Sequence, residues 1–122
     1  VASLIRRNCD RFGVKNVEVI EGSAPECLPQ LPALPNRVCI EGGRSIKEIV
    51  QEVWNYLQPQ GRIVATAANL EHLYTISECF ASLQVRHVEI VQSAVNRLET
   101  RGNQQVFAAL NPMFILSGEK LD

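Results

Sequence analysis

The sequence has no apolar run long enough to cross a bilayer and shows no signal-peptide pattern, so no membrane-spanning helix is predicted. It also lacks an excess of either charge. Lys and Arg number 12 against 13 Asp and Glu, a formal net charge of −1, and no basic stripe is present to displace counterions from a phosphate backbone. Nucleic acid is therefore not an expected partner. Cys9, Cys27, Cys39 and Cys79 show no CxxC spacing, and Cys39 sits in an apolar segment where a thiol behaves as a small hydrophobe. Neither a zinc site nor a disulfide framework is expected, and the expected setting is a soluble protein in a reducing cytoplasm. No Ser/His/Asp order, HExxH or GxxxxGK[ST] pattern can be read, which leaves hydrolase and phosphoryl-transfer chemistry without support. No internal repeat or low-complexity segment is present.

What the chain does contain is an ordinary globular composition, 46% hydrophobic and 20% charged, over 122 residues, enough for a single domain spanning 1–122. "VASLIRRNCDRFGV" places Val1, Leu4, Ile5, Cys9 and Phe12 on one helical face and ends at Gly13, a C-cap residue. No initiator Met or N-cap precedes it, so the expectation is a domain cut upstream of Val1. "NVEVIEG" (16–22) alternates like a strand, a short helical piece comes next around "APECLPQL", and "RVCIE" (37–41) reads as the next strand. Prolines 29, 32 and 35 keep the connection from being a long helix. Residues 45–57 space Ile46, Ile49, Val50, Val53, Trp54 and Leu57 at helical intervals before "QPQG" stops them. "RIVATAA" (62–68) reads as a buried strand, and 70–83 as a helix carrying Leu70, Leu73, Tyr74, Ile76, Phe80 and Leu83. This alternation predicts a parallel α/β sheet with right-handed helical crossovers covering both faces. From His87 onward, "HVEIVQSAVNRL" and "QQVFAALNPMFIL" flank "ETRGN" with no room for a crossover, which predicts an antiparallel hairpin and an antiparallel last strand.

Ligands of open parallel sheets bind outside the carboxyl ends of the strands, where loops enter helices. Three such junctions are legible: "EGSAPE" (21–26), "EGGRS" (41–45) and "TAANLE" (66–71). Ser45 with Glu48, and Ser23 with Glu26, have capping-box spacing. Gly42 and Gly43 are open to two readings, a tight turn or a stretch cleared for a flat ligand, and Glu41 points toward the same crevice or its neighbour. His72, near a helix start, is an acid/base candidate weighed against a plain packing role, and His87 opens a strand. A nucleotide-binding α/β domain carries a Gly-rich loop after its first strand and an acidic residue after its second. Neither is found, and both would lie upstream of Val1.

Taken together, "RRNCDRFGVKNVEVIEGSAPECL", "GRIVA" and "ALNPMFILSG" resemble the S-adenosylmethionine-dependent methyltransferases of corrin biosynthesis, and the resemblance covers essentially the whole chain. It is to the cobalt-precorrin C15-methyltransferases (decarboxylating) and the C-terminal domain of precorrin-6Y C5,15-methyltransferases. The resemblance implies a class I methyltransferase fold, a Rossmann-like α/β sheet with an antiparallel last strand, lacking here its first strand, Gly-rich loop and second strand. Gly22, Ser23, Ala24 and Pro25 then match the loop against the adenine of the cofactor, with Ser23 where Asp is frequent. Gly42 and Gly43 match the loop between the methionine end of the cofactor and the tetrapyrrole. Glu41, Thr66, Asn69, Arg97 and Asn111 become candidate substrate contacts, although Thr66 stands where Asn is common and Asn69 where Thr is common. An arginine suits an acetate or propionate side chain. The implied reaction is methyl transfer to a ring meso carbon with loss of carboxylate from an acetate side chain, chemistry that depends on alignment and exclusion of water and leaves no catalytic residue assigned. No metal site is implied. The resemblance also implies a homotetramer and allows a fused upstream C5-methylating domain.

Two alternatives stand beside this reading: a nicotinamide-dependent Rossmann oxidoreductase without its fingerprint, and a non-catalytic α/β interaction module with exposed apolar surface. The 122-residue chain by itself is expected to bind cofactor weakly or not at all.

Overall fold

In the computed structural model, which describes residues 1–122, the chain divides into two units, Val1–Ala33 and Leu34–Asp122. The first opens with α1 (Ala2–Phe12), which ends as predicted at a left-handed Gly13 (φ 66, ψ 29). There the Val14 N–H reaches the Cys9 carbonyl at 2.8 Å and the Gly13 N–H that of Asp10 at 3.3 Å, satisfying carbonyls the helix leaves open. Arg6 and Glu21 lie 3.5 Å apart within this unit. The strand predicted over 16–22 is absent. A strand is stabilised by a partner's ladder of N–H and C=O groups, and both sheets are built from residues 37–119 alone. Nor does Ser23 form a capping box with Glu26. Its backbone carbonyl accepts the Cys27 N–H at 2.9 Å, and the next element is a single 3-10 turn, Leu28–Gln30, with no α-helix to cap.

The second unit runs β1 (Arg37–Glu41), α2 (Ile46–Tyr56), β2 (Arg62–Ala67), α3 (Leu70–Ser82), β3 (Arg86–Ser93), β4 (Asn96–Arg101), β5 (Gln104–Ala109) and β6 (Met113–Glu119). Four strands form one sheet in the order β1-β2-β6-β3, with β1 parallel to β2 and β6 antiparallel to both its neighbours. The antiparallel last strand is as predicted, and it lies between β2 and β3. The two long strands predicted after residue 86 are each broken. Ala94–Val95 and Leu110–Pro112 interrupt them, so β4 and β5 pair as a separate two-stranded ribbon, with Leu110 N–H on the Val95 carbonyl at 2.9 Å at its base. Pro112 has no N–H to offer a ladder, which fits a break there.

Helical spacing accounts for the core. Ile46, Val50 and Val53 of α2 and Ile76, Cys79 and Phe80 of α3 are buried, and the two helices pack on each other. Along β2, Ile63, Ala65 and Ala67 are buried while Arg62, Val64 and Thr66 are half-buried. So α2 and α3 cover one face of this sheet, because two successive right-handed crossovers advancing in one direction land on the same side. A rung of that face, Ile40–Ala65–Leu116, is buried throughout.

On the opposite face, register places Arg37, Arg62, Glu119 and Arg86 in one row. Glu119 accepts from Arg62 through Oε1, and its Oε2 lies 3.1 Å from Nδ1 of His87, which a register shift between Arg86 and Glu89 brings into reach. The His87 hydrogen bond above all, joined by the charge and hydrogen bond of Arg62, holds the Glu119 carboxyl below its usual value of 4.5, and together they outweigh the opposing effect of desolvation. A depressed carboxylate stabilises the fold above its unfolded value and loses that contribution as pH falls through the folded one. Urea midpoints should therefore fall on acidification below about pH 4.5, and Glu119→Gln should flatten that part of the profile. A slope unchanged in the variant would place the acid sensitivity elsewhere.

Candidate functional site

The carboxyl ends of β1 and β2 lie side by side, with Glu41 opposite Thr66, and β6 enters at the same edge, with Phe114 opposite Ala67. What each strand does next makes the site. After β1 the chain passes through Gly42 and Gly43 into α2; after β2, Ala68 and Asn69 lead into α3. A cleft of about 230 Å³ opens between them, lined by Glu41, Gly42, Thr66, Ala68, Asn69, His72 and Met113.

The two adjacent glycines have different reasons. A Cβ at Gly42 would lie 2.6 Å from the backbone oxygen of Thr66, so glycine lets the two strand ends close together. The Gly42 N–H also faces Thr66 Oγ1 at 3.4 Å, a long hydrogen bond. A Cβ at Gly43 would meet nothing within 4 Å, and its backbone is not in the left-handed region, so neither packing nor strain requires glycine there. The turn is completed at Ser45, which adopts φ 57, ψ 32 and makes no side-chain cap bond. That corrects the capping box expected with Glu48: an N-cap side chain reaches the first free N–H groups from an extended backbone, which a left-handed residue does not supply.

At α3 the cap is made by Asn69. With φ −140 and ψ 167, its Oδ1 accepts the His72 N–H at 2.8 Å. Asn69 thus spends its carbonyl oxygen on the helix, and its amide N–H groups are what remains for a ligand. The same bond holds His72 at the cleft wall, half-buried; its Nδ1 is 3.7 Å from where a Gly42 Cβ would stand, and its ring has no hydrogen-bond partner in the chain.

Of the predicted site residues, then, Glu41, Gly42, Thr66 and Asn69 come together in the cleft, with Gly43 on the adjoining turn. Arg97 does not join them. It lies exposed on β4 opposite Ala108, while Asn111, exposed, precedes the cleft residue Met113 by two positions. Gly22, Ser23, Ala24 and Pro25 belong to the first unit, where Gly22 takes φ 153, a backbone region essentially reserved for glycine, with its would-be Cβ 3.1 Å from that of Cys27. Met113 and Ala68 were not predicted. Met113 reaches the site only because β6 runs antiparallel to β2, a fact of register and not of spacing. His72 had a signal in the Asn69-x-x-His72 interval, the distance from an N-cap to the third helical residue.

Comparison with known proteins bears on what this cleft serves. A family model described as the precorrin methyltransferase domain matches residues 1–120. A protein of Saccharolobus solfataricus named "Probable cobalt-precorrin-6B C(15)-methyltransferase (decarboxylating)" is 34% identical over 121 residues, covering 97% of this chain and 60% of its own. The crystal structure of a precorrin-6Y C5,15-methyltransferase from Geobacter metallireducens superposes with TM-score 0.82 at 31% identity, covering 97% of this chain and 62% of that one. An S-adenosylmethionine-dependent O-methyltransferase of Thermotoga maritima, at 12% identity and TM-score 0.67 over 99% of this chain and 46% of its own, shares the fold alone. The chain spans about 60% of the length of the curated relatives it matches.

Proposed function

The chain belongs to the precorrin methyltransferase domain family, and on that premise we propose that its protein methylates a precorrin-type tetrapyrrole at C15 and decarboxylates an acetate side chain of the same substrate. Its sheet, with the antiparallel β6 between β2 and β3, is part of the Rossmann-like fold of S-adenosylmethionine-dependent methyltransferases. When bound, S-adenosylmethionine supplies an electrophilic methyl group. In this reading the chain's own residues bind and orient. Gly43 leaves the turn after β1 uncrowded for the methionine end of the cofactor, and Gly22–Pro25 receive the adenine. Glu41, Thr66, the Asn69 amide, Arg97 and Asn111 contact the tetrapyrrole. The observation that carries the proposal is the pairing of a family match over residues 1–120 with a cleft at the carboxyl edge of β1 and β2, where one glycine is forced by Thr66 and the next faces open space.

Residues 1–122 act in this reading as one methyltransferase domain of a cytoplasmic homo-oligomer, a tetramer, and a C5-methylating domain is fused upstream where the protein is of the two-activity type. Support for assembly comes from the cross-strand pair Leu98 and Phe107 on the β4–β5 ribbon, 57% and 77% exposed. No helix is long and apolar enough to cross a membrane.

Calorimetric titration of S-adenosylhomocysteine into the 122-residue chain, and into a chain lengthened to the span of its relatives, tests the proposal. Tight binding by the longer chain and weak or no binding by the shorter is the expected result. Binding of NAD by either, with no response to S-adenosylhomocysteine, would overturn it in favour of an oxidoreductase.

A further inference from the structure

The reaction proposed above has a proton balance that the cleft is equipped to handle. A meso carbon that accepts a methyl group forms a new C–C bond and carries one hydrogen too many; loss of that proton restores its double bond. Decarboxylation breaks the bond between the acetate methylene and its carboxylate carbon, carbon dioxide leaves, and the electron pair left on the methylene takes up one proton to become a methyl group. One proton is released and one consumed. Resting on that reading, we propose that His72 is the catalytic residue that carries this proton, the neutral imidazole taking it from the methylated meso carbon and the imidazolium returning it to the decarboxylated methylene.

Three observations carry the assignment. His72 lines the cleft at the carboxyl edge of β1 and β2. Its position is set through the backbone, by the 2.8 Å bond from its N–H to Asn69 Oδ1, which leaves the ring uncommitted, since neither ring nitrogen hydrogen-bonds to the chain. It is also the one lining side chain whose ring nitrogens offer both a proton acceptor and a proton donor. Of the elements around it, β1 contributes Glu41, the only other ionisable side chain lining the cleft, while β2 contributes Thr66 and β6 Met113, neither of which titrates. Glu71 is its neighbour on α3, and Arg44 comes directly after the glycine pair. An imidazole with a free ring beside a turn cleared of side chains is what a proton carrier to a planar substrate requires.

The test is steady-state turnover of the protein lengthened to the span of its relatives, with S-adenosylmethionine and a precorrin-6B-type substrate, reading S-adenosylhomocysteine and carbon dioxide separately. His72→Gln should lower kcat about 10²-fold or more with KM little changed, and remove the acid limb of the pH–rate profile. Glutamine keeps the backbone N–H that Asn69 caps, so thermal melting should match the parent. Parent-like kcat in this variant with its acid limb intact would overturn the assignment while leaving the function standing; a parent protein that forms neither product overturns the function and the assignment with it. A second measurement needs no variant. The chain holds only two histidines, and His87 lies at the other end of β6 beside Glu119. The His72 ring proton resonance should move on addition of uroporphyrin, used as a polycarboxylate tetrapyrrole probe, while that of His87 stays. Equal movement of both, or of neither, at probe concentrations that inhibit the enzyme counts against the proposal.

Discussion

Gly43→Val is expected to leave stability nearly unchanged while weakening S-adenosylhomocysteine or substrate binding at least tenfold, and Gly42→Ala, the smaller change, is expected to damage the fold. The reasoning is steric at both positions. An added Cβ at Gly42 would sit 2.6 Å from the Thr66 backbone oxygen, and a carbonyl in the β2 ladder cannot rotate away as a side chain would. The strand ends must part, at a cost of about 1–3 kcal/mol for overpacking of this kind. At Gly43 nothing lies within 4 Å and the backbone is compatible with any residue, so a side chain there is a surface substitution worth within about 0.5 kcal/mol. A tenfold loss of affinity at such a position, about 1.4 kcal/mol, has to come from the ligand. Thermal melts and calorimetry on the two variants, made in the protein lengthened to the span of its relatives, separate the effects. A Gly43→Val protein that binds like the parent would show that the glycine pair serves the turn alone.

That contrast also marks how far the site was legible in the sequence. The pair "GG" marked a strand-to-helix junction, and Glu41, Thr66 and Asn69, read from strand and helix spacing at the same sheet edge, line the cleft that opens there. What spacing cannot report is which atoms cross from one strand to the next. The Gly42–Thr66 approach depends on the lateral register of β1 on β2, and Met113 depends on β6 running backwards between β2 and β3. The caps divide the same way. Ser45 and Ser23 both had capping-box spacing and neither caps, because one is left-handed and the other precedes a 3-10 turn, whereas Asn69, which had no acidic partner three residues on, makes the one side-chain cap bond.

The fold was legible wherever a segment carries its own period. Ile46, Val50 and Val53, then Ile76 and Phe80, lie on buried helix faces as their intervals predict, and β1 spans 37–41 as expected, its apolar run flanked by Arg37 and Glu41. Residues 16–22 alternate as well as any strand in the chain, yet alternation describes a face and supplies no partner; none of the six strands pairs with them. The terminal hairpin was read correctly in its sense and wrongly in its continuity, since the bend at Ala94–Val95 and Leu110–Pro112 turns one long hairpin into a ladder beside β2 and a free ribbon. The ribbon leaves from the carboxyl edge of β1 and β2, where Ser93 faces Met113, and Arg97 lies on it outside the lining of the cleft.

Phe80→Ala should be the most damaging substitution in the second unit, costing about 3–5 kcal/mol. Phe80 is 1% exposed, and α3 packs against α2, β2 and β6, so a cavity there removes contacts from the helix layer and the sheet together. Its carbonyl also accepts the Val85 N–H at 2.9 Å where the helix turns toward β3. Against a total stability of about 5–15 kcal/mol, such a loss should lower Tm on the order of 10–20 °C. Tyr74, six residues earlier on α3 and 65% exposed, is the internal control: Tyr74→Ala removes an aromatic ring and its bond to Glu78, yet should shift stability by no more than about 0.5 kcal/mol. The geometry of α3 carries this effect to the site. Its first turn carries Asn69 and His72, and its packing against β2 and β6 holds that turn beside Thr66 and Met113. Destabilised α3 should therefore weaken ligand binding well below the temperature at which the chain unfolds, and hydrogen exchange at the His72 N–H should report the loosening first. If Phe80→Ala melts like the parent, the burial of α3 is not what supports the cleft, and the positions of Asn69 and His72 must be held from the strand side alone.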